Sequence, residues 1–188
     1  MAKIALIAGS VYGAAQYVAE QAHALLTRLG HNVALYEEAK LDDVLRFDAD
    51  IWLVISSTTG QGDIPDSLLP FYLDVQNRFP LLTGKQFAVI ALGDSSYDTF
   101  CGAGEALRAL LLEIQGTELA PMLRIDAGET PEQAALRELS EEVGVVLDPS
   151  AVLGRLDRIG GEAVGVDPVD HGVARHHRPQ HRSAEFRR

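Results

Sequence analysis

Three loops of small and polar residues have the composition expected of a site for a phosphorylated ligand with a planar ring. The stretch SSTTGQGDIPD (56–66) follows the apolar run DIWLVI directly and contains mostly hydroxyls, glycines and acidic residues. GSVYGAA (9–15) follows the apolar run IALIA, and LGDSSYDTFCGAG (92–104) follows QFAVIA. Glycines let the backbone approach a ligand closely, and Tyr97 offers a flat aromatic surface. Together the three loops predict a mononucleotide site.

The segments around these loops predict the elements that position them. Near-continuous apolar strands that alternate with helices indicate a parallel sheet covered on both faces, which is a doubly wound α/β domain. Its ligand should lie at the carboxyl ends of the strands, where all three loops begin. GSVYGAA also leads into a helix, whose N-terminus favours a phosphate. The predicted strands cover 3–8, 32–36, 50–56, 86–92 and 117–125, and the predicted helices about 14–29, 41–46, 67–77 and 102–115.

The composition restricts the class of protein to which such a site would belong. With 188 residues and 47% hydrophobic residues, the chain can bury one good core, which favours a single domain. Its net charge of −11 argues against nucleic-acid binding and favours a basic partner surface or simple solubility. The one cysteine, Cys101, excludes an internal disulfide and fits a reducing cytoplasm. No apolar run approaches the length of a membrane span, so we expect no membrane contact.

The three loops, in this order and at these separations, resemble those of the flavodoxins, particularly the short-chain bacterial type, over about residues 3–127. The resemblance implies five parallel strands in the order 2-1-3-4-5 with helices on both faces. It also implies FMN as a noncovalent redox cofactor and no acid–base chemistry by the side chains. The residues that would bind FMN by this resemblance are Ser10, Val11, Tyr12, Gly13, Ala14, Ala15, Ser57, Thr58, Thr59, Gly60, Gly62, Leu92, Gly93, Asp94, Tyr97, Phe100 and Cys101.

Two departures from the usual flavodoxin pattern change the expected site. The family often has threonines where this chain has Tyr12 and Ala14, so the backbone would supply more of the phosphate's hydrogen bonds. Many flavodoxins also place a second aromatic residue after the third strand, whereas this chain has Thr58 and Thr59 there. One face of the ring should therefore be more open. In the family a peptide of this loop changes conformation when the flavin is reduced, and the two glycines of the loop would permit that change here.

Several of these residues also have simpler interpretations. Tyr97 alone would more often be a surface aromatic residue, and Cys101 is better explained as a small packed residue than as a redox group. Trp52 and Phe71 are most simply core residues. Acidic residues near the loops could form a solvated rim or an electrostatic face that docks a basic partner, and the sequence favours neither. These acidic residues are Asp63, Asp66, Asp94, Asp98 and Glu105.

A second resemblance lies nearer the C-terminus, in GETPEQAALRELSEEVGV (128–145), which is similar to most of a Nudix box. In the box, the glutamates of the R-E-x-x-E-E core hold Mg²⁺ as hard oxygen ligands. The match fails at its start, because Leu123 stands where the box has its leading glycine. The favoured interpretation is the fifth helix of a flavodoxin, beginning with a capping box over Thr130–Gln133. The core residues matched are Arg137, Glu138, Glu141 and Glu142.

The last part of the chain differs in composition from the rest. Residues 151–188 contain seven arginines and five acidic residues, and the final 18 residues are almost free of apolar side chains. Such a segment cannot offset the entropy cost of ordering. We therefore expect a flavodoxin-like domain over 1–147, and a linker with a disordered, basic His/Arg-rich tail over 148–188.

The resemblance implies a cytoplasmic, monomeric electron carrier. It would pass single electrons from an NADPH-dependent flavodoxin reductase to an acceptor redox enzyme, with docking through the acidic face. Two alternatives remain open. One is a small FMN-dependent reductase of quinones or similar compounds. The other is a remnant of a Mg-dependent Nudix-type hydrolase, in which Glu138, Glu141 and Glu142 would hold the metal.

Overall fold

A computed structural model describes residues 1–130 and 133–134 of the chain. Within them, strands and helices alternate from the first element to the fourth helix. In chain order the elements are β1 (Lys3–Gly9), α1 (Ala14–Arg28), β2 (Asn32–Tyr36), α2 (Leu41–Phe47), β3 (Ile51–Ser57), α3 (Leu69–Arg78), β4 (Gln86–Leu92), α4 (Gly102–Glu113), β5 (Thr117–Glu118) and β6 (Leu123–Ile125).

The strands form one parallel sheet in the order β2-β1-β3-β4-β5, which confirms the predicted doubly wound topology. The order reverses direction between β1 and β3, which lie side by side in register from Ile4 opposite Ile51 to Gly9 opposite Ser56. A crevice opens at such a reversal, outside the carboxyl ends of the strands. The loops after β1 and β3 therefore begin on either side of the switch point.

The fifth strand differs from the sequence prediction of one continuous strand over 117–125. Two short segments, β5 and β6, each pair with β4 in parallel, and residues 120–122 leave the ladder between them. Pro121 lies in this interruption and has no backbone N–H to donate to β4. Because β6 resumes pairing opposite Ile90 to Leu92, the loop after it still begins at the carboxyl edge of the sheet.

Each face of the sheet is covered by helices, as predicted. Alternate strand residues point to opposite faces, so Ile7 packs with the core under α2, α3 and α4, whereas Leu6 packs under α1. Trp52 and Phe71, expected in the core, are 1% and 2% exposed, and their ring centroids lie 6.0 Å apart. These apolar layers fix the strand ends from which the loops begin.

The predicted capping box at Thr130 is present. The Thr130 backbone N–H donates to Gln133 Oε1 at 2.8 Å, and the Gln133 N–H donates to Thr130 Oγ1 at 3.2 Å. Ala134 is fully buried in the core against α1, so a helix begins here on that face of the sheet. Both interpretations of the Nudix-like segment share this start, so it does not decide between them.

Several expectations lie outside the described residues. These are the domain boundary at residue 147, the tail over 148–188, and the metal-binding candidates Glu138, Glu141 and Glu142. Within the described part, no helix is both long and apolar enough to cross a membrane.

Candidate functional site

A cleft of about 640 Å³ lies at the carboxyl edge of the sheet, where the sequence predicted a ligand. The loops after β1, β3 and β4 all contribute to its walls. The predicted residues that line it are Ser10, Val11, Tyr12, Ala14, Ser57, Thr58, Thr59, Gly60, Leu92, Gly93, Asp94, Tyr97, Phe100 and Cys101. Of the other predicted residues, Gly13, Ala15 and Gly62 do not line the cleft.

The loop after β1 has backbone donors without recorded acceptors beside the cleft. Gly13 has φ +86° and precedes α1 without a side-chain cap. Within the described residues, the one side chain that hydrogen-bonds to the first turn is that of Ser10, whose Oγ accepts from the Ala15 N–H at 3.4 Å. Among the described residues, nothing accepts a hydrogen bond from the N–H groups of Val11, Tyr12 and Gly13. Free amides at a helix N-terminus form a site for an anion, because the helix dipole adds positive potential there.

Two hydroxyls at the end of β3 lack hydrogen-bond partners within the part of the chain that the structure describes. Ser57 Oγ and Thr58 Oγ1 are both buried, and neither has a hydrogen bond within the described residues, although both residues line the cleft. The Thr58 backbone does have a partner, because its N–H donates to the Leu92 carbonyl at 2.9 Å. Buried polar atoms are rarely left unpaired, so these two hydroxyls indicate a polar ligand.

The rest of the loop after β3 is a tight turn that Asp63 closes. The Asp63 N–H donates to the Thr59 carbonyl at 2.7 Å, and Asp63 Oδ2 accepts from the Gln61 N–H at 3.2 Å. Gly60 has φ +51°, in the left-handed region that favours glycine. Gly62 lies behind the cleft wall, where a Cβ would come within 3.0 Å of Thr99 Cβ. It therefore supports the turn without lining the cleft.

The loop after β4 carries the aromatic residue predicted to contact a ring. Tyr97 is 63% exposed at the mouth of the cleft, so its ring is available to a ligand. Asp94 Oδ1 accepts from the Ser96 N–H at 2.9 Å, which shapes the turn before Tyr97. Gly93 must be small, because a Cβ there would lie 2.7 Å from the Cys101 amide nitrogen. Its own N–H donates to the Ile125 carbonyl at 3.0 Å.

Cys101 closes this loop as a packed residue. Its side chain is fully buried, and its Sγ lies 3.4 Å from the Ala91 carbonyl oxygen. Burial raises the pKa of the Cys101 thiol to about 12, because the thiolate would lose its hydration. A thiol that stays protonated at neutral pH is a weak nucleophile, which agrees with the structural role favoured from the sequence.

A fourth wall, formed by the last residue of β6 and the loop after it (residues 125–129), was not predicted from the sequence, and neither was Thr99. This wall is tied to the loop after β4, because Asp126 accepts hydrogen bonds from both the backbone N–H, at 2.7 Å, and the hydroxyl of Ser95. Asp126 in turn donates its own N–H to Glu129 Oε2 at 3.1 Å. The available signal was positional: a loop that leaves the fifth strand of a parallel sheet begins at the same edge as the other three.

The charge around the cleft is negative. Acidic side chains line it at Asp94, Asp126 and Glu129, whereas no lysine or arginine appears among its described lining residues. Of the five acidic residues identified from the sequence, Glu105 is paired with Arg124 across α4 and β6. A bound phosphate would therefore interact with backbone N–H groups and a helix dipole, and the surroundings of the cleft would favour a basic protein surface.

Comparison with known proteins agrees with this geometry. The sequence model of the flavodoxin family matches residues 6–140. Flavodoxin YqcA of Escherichia coli (strain K12) is 42% identical over 132 residues, which cover 70% of this chain and 89% of that protein. Protein MioC of Escherichia coli (strain K12) is 42% identical over 126 residues, covering 67% and 84%. The solved structure of a C101S mutant of flavodoxin from Pseudomonas aeruginosa has a TM-score of 0.67 and 43% identity, covering 77% of this chain and 98% of its own.

A second, shorter match overlaps the first. The sequence model of the NUDIX domain matches residues 120–181, so residues 120–140 fall within both matches. The described part of that overlap belongs to the flavodoxin-like sheet and cleft, because β6 pairs with β4 and the loop after β6 lines the cleft. Whereas the NUDIX match covers only a third of the chain, the other match and its relatives extend over most of it. The chain therefore belongs to the flavodoxin family of flavin-binding electron carriers and is of its short-chain type.

Proposed function

We propose that the cleft binds FMN noncovalently and that the protein passes electrons one at a time between a reductase and an acceptor enzyme. One observation carries this proposal: among the described residues, the backbone N–H groups of Val11 and Tyr12 and the buried hydroxyls of Ser57 and Thr58 have no partner, and these four residues line a single cleft together with Tyr97. A phosphate, a polyhydroxyl chain and a planar ring are the three parts of FMN. The phosphate would accept hydrogen bonds from the backbone donors, the polyhydroxyl chain would pair with the two hydroxyls, and the planar ring would contact Tyr97.

The phosphate would lie in the loop after β1. The unpaired N–H groups of that loop favour an anionic ligand, and the dipole of α1 adds positive potential at the N-terminus of the helix. Gly13 and Ala15 would act through their backbones, since they do not line the cleft. Side chains contribute little here because Tyr12 is 97% exposed and Ala14 is apolar. The residues assigned to the phosphate are Ser10, Val11, Tyr12, Gly13, Ala14 and Ala15.

The isoalloxazine ring would lie between the loops after β3 and β4. Tyr97 would stack on one face, and Thr59 and Gly60 would flank the other, which stays open because no aromatic residue stands there. Leu92, Gly93 and Asp94 would run along the edge of the ring. Bound FMN supplies the redox chemistry, whereas the chain binds and orients the ring and sets the polarity around it.

Partners would dock over the mouth of the cleft. We infer an NADPH-dependent flavodoxin reductase as electron donor and a redox enzyme as acceptor, each with a basic surface. The exposed carboxylates of Asp63, Asp66, Asp94 and Asp98 support this inference, because no described lysine or arginine lines the cleft to offset them. Glu105 contributes less, since Arg124 already pairs with it.

The proposed setting is a reducing cytoplasm, with the protein as a monomer. The chain's one cysteine, a protonated and fully buried thiol, is compatible with such a compartment and leaves no described thiol for an intermolecular disulfide. Size-exclusion chromatography with light scattering would test the monomer, with a mass near 20.3 kDa as the expected result.

The deciding experiment is the visible absorption spectrum of the purified full chain, followed by an FMN titration if the protein is colourless. We expect a bound flavin whose fluorescence is quenched, because Tyr97 would lie against the ring. No binding at saturating FMN would refute the proposal. Incubation of the loaded protein with NADPH alone tests the alternative of an independent reductase, and we expect no oxidation until a flavodoxin reductase is added.

A further inference from the structure

The loop after β1 rests on a turn that lies 57 residues away in the sequence. This turn covers Pro65–Leu68, just before α3, and the Leu68 and Leu69 N–H groups both donate to the Pro65 carbonyl, at 2.8 and 2.9 Å. Its Leu68 is fully buried in the core with Phe71 and Val75. The turn is therefore fixed by packing and by its own hydrogen bonds.

Ser67 joins this turn to the start of the phosphate loop through two hydrogen bonds. Its Oγ accepts from the Ser10 backbone N–H at 3.1 Å and donates to the Ser10 carbonyl at 3.1 Å. One hydroxyl thus satisfies both backbone groups of the same residue, using its donor and its acceptor capacity. Because both ends of the residue are held, the Ser10 backbone is oriented by Ser67.

Close packing reinforces this contact. A Cβ built at Gly9 would lie 2.4 Å from Leu68 Cβ, so the end of β1 and the turn approach each other as closely as glycine permits. Ser10 itself is 8% exposed, and its Oγ accepts from the Ala15 N–H in the first turn of α1. The Ser10 backbone is therefore placed between a rigid turn on one side and the start of the helix on the other.

We infer that Ser67 is a positioning residue that sets the phosphate loop in its anion-binding conformation. This inference rests on the proposed function, since it concerns the phosphate of FMN. Ser67 is absent from the lining of the cleft, so it acts only through Ser10. The orientation of the Ser10 peptide determines where the next N–H groups, those of Val11 and Tyr12, point.

The effect should be specific to the phosphate and should not reach the ring. The loops assigned to the ring are held by other contacts, through Asp63 within one loop and through Asp126 to Ser95 in the other. Losing the Ser67 hydroxyl would leave these contacts in place. Riboflavin, which has the ring and the sugar chain but no phosphate, should therefore bind about equally well with and without the hydroxyl.

A thermodynamic cycle over protein and ligand tests the inference. Dissociation constants of the full chain and of Ser67→Ala are measured for FMN and for riboflavin. We expect Ser67→Ala to raise the FMN constant about ten-fold, as expected for two lost hydrogen bonds, and the riboflavin constant by about two-fold at most. The change in the FMN constant divided by the change in the riboflavin constant measures the coupling between Ser67 and the phosphate. A purely structural role of Ser67 would change both constants equally and give no coupling.

Thr83→Ala is the matched control, since it also removes one hydroxyl with a hydrogen bond, at 2.7 Å to Gln115 Oε1, outside the cleft lining. It should leave both dissociation constants unchanged. Thermal unfolding without ligand checks that the variants fold, and Ser67→Cys, which is close in size, replaces Ser67→Ala if the latter does not. If Ser67→Ala changed the dissociation constants of FMN and riboflavin equally, or changed neither, the inference about Ser67 would be wrong. The proposed function would still stand in that case, as long as the wild-type protein binds FMN. Failure of the wild type to bind FMN would overturn both.

Discussion

At the scale of single residues, Gly60 has both a positive φ and a close neighbour in the turn after β3. Its φ of +51° suits glycine, and a Cβ there would lie 2.7 Å from Asp63 Oδ2, the atom that accepts from Gln61. We expect Gly60→Ala to strain the turn and displace Asp63, because both the conformation and the space oppose a side chain. With FMN bound, the two one-electron potentials should shift, which spectroelectrochemical titration measures.

Gly30 offers the control for that substitution. It has φ +88°, but a Cβ there would meet nothing within 4 Å. Gly30→Ala should therefore lower the free energy of unfolding by about 1 kcal/mol through backbone strain alone, without changing the potentials. If Gly60→Ala also left both potentials at their wild-type values, the turn would have no part in tuning the flavin.

Cys101 gives a prediction about pH. Because its thiol pKa is raised from 9.0 to about 12, the folded protein keeps a proton that the unfolded chain loses, so folding is disfavoured as pH rises from about 9 to 12. The free energy of unfolding is measured by urea at pH 8 and at pH 10.5 for wild type and for Cys101→Ser. Between these two pH values it should fall by up to about 2 kcal/mol more for wild type than for Cys101→Ser, because the serine hydroxyl does not titrate there.

Alkylation provides an independent measurement on the same thiol. At pH 8, iodoacetamide should modify Cys101 in the folded protein about a thousand-fold more slowly than in urea, because the thiolate fraction is smaller by that factor. Labelling of the folded protein at the rate of an exposed cysteine would contradict the assigned burial. Cys101→Ser controls for reaction at other side chains.

Several of the predicted site residues that line the cleft lie at the end of a buried strand or just after it. Ser57 and Leu92 end β3 and β4, so strand ends alone place them at the edge. Gly62 was harder, because whether a loop residue faces the cleft or the wall behind it depends on its contact with Thr99, which is distant in sequence. Long-range contacts of loops are not encoded in local pattern.

At the scale of elements, the fifth strand marks where prediction from sequence failed. Apolar spacing indicated one strand, but Pro121 interrupts the ladder and divides it into β5 and β6. The proline was the available signal, since it is confined to edges and bulges in sheets. The division did not move the end of the strand, since β6 ends at Ile125 as the predicted strand did, so residues 125–129 could have been expected at the cleft in either case.

The link between this fourth wall and the loop after β4 is open to test. Asp126→Ala removes the acceptor for both the N–H and the hydroxyl of Ser95, which frees the loop that carries Tyr97. Since hydrogen bonds to a carboxylate are strong, we expect the FMN dissociation constant to rise about ten-fold, with weaker quenching of flavin fluorescence. Fluorescence titration measures both quantities.

Asp43→Ala is the comparison for that variant. It also removes a carboxylate, but one that pairs with Arg46 on the exposed surface of α2 at 2.7 Å. Exposed pairs contribute less than about 1 kcal/mol, so this variant should bind FMN as wild type does. Equal affinities of Asp126→Ala and wild type would show that the fourth wall does not hold the loop.

At the scale of the whole molecule, the flavodoxin-like part should work without the end of the chain. Every described residue that lines the cleft lies before residue 130, and β6 is the last strand within the described residues. Deletion of residues 160–188 removes five arginines and four acidic residues, so the net charge changes by only one. We therefore expect the shortened protein to fold, bind FMN with an unchanged dissociation constant and accept electrons at the same rate.

Deletion of 119–188 provides the contrast, because it removes β6, the wall at 125–129 and the buried Ile125 and Ala134. That protein should lose FMN binding and unfold at lower temperature, since the edge of β4 and the core beside α1 become exposed. Thermal unfolding and FMN titration of both deletions locate the functional boundary. Loss of the cofactor or of solubility on deletion of 160–188 alone would mean that the NUDIX-like region supports the flavodoxin fold, contrary to a boundary near residue 147.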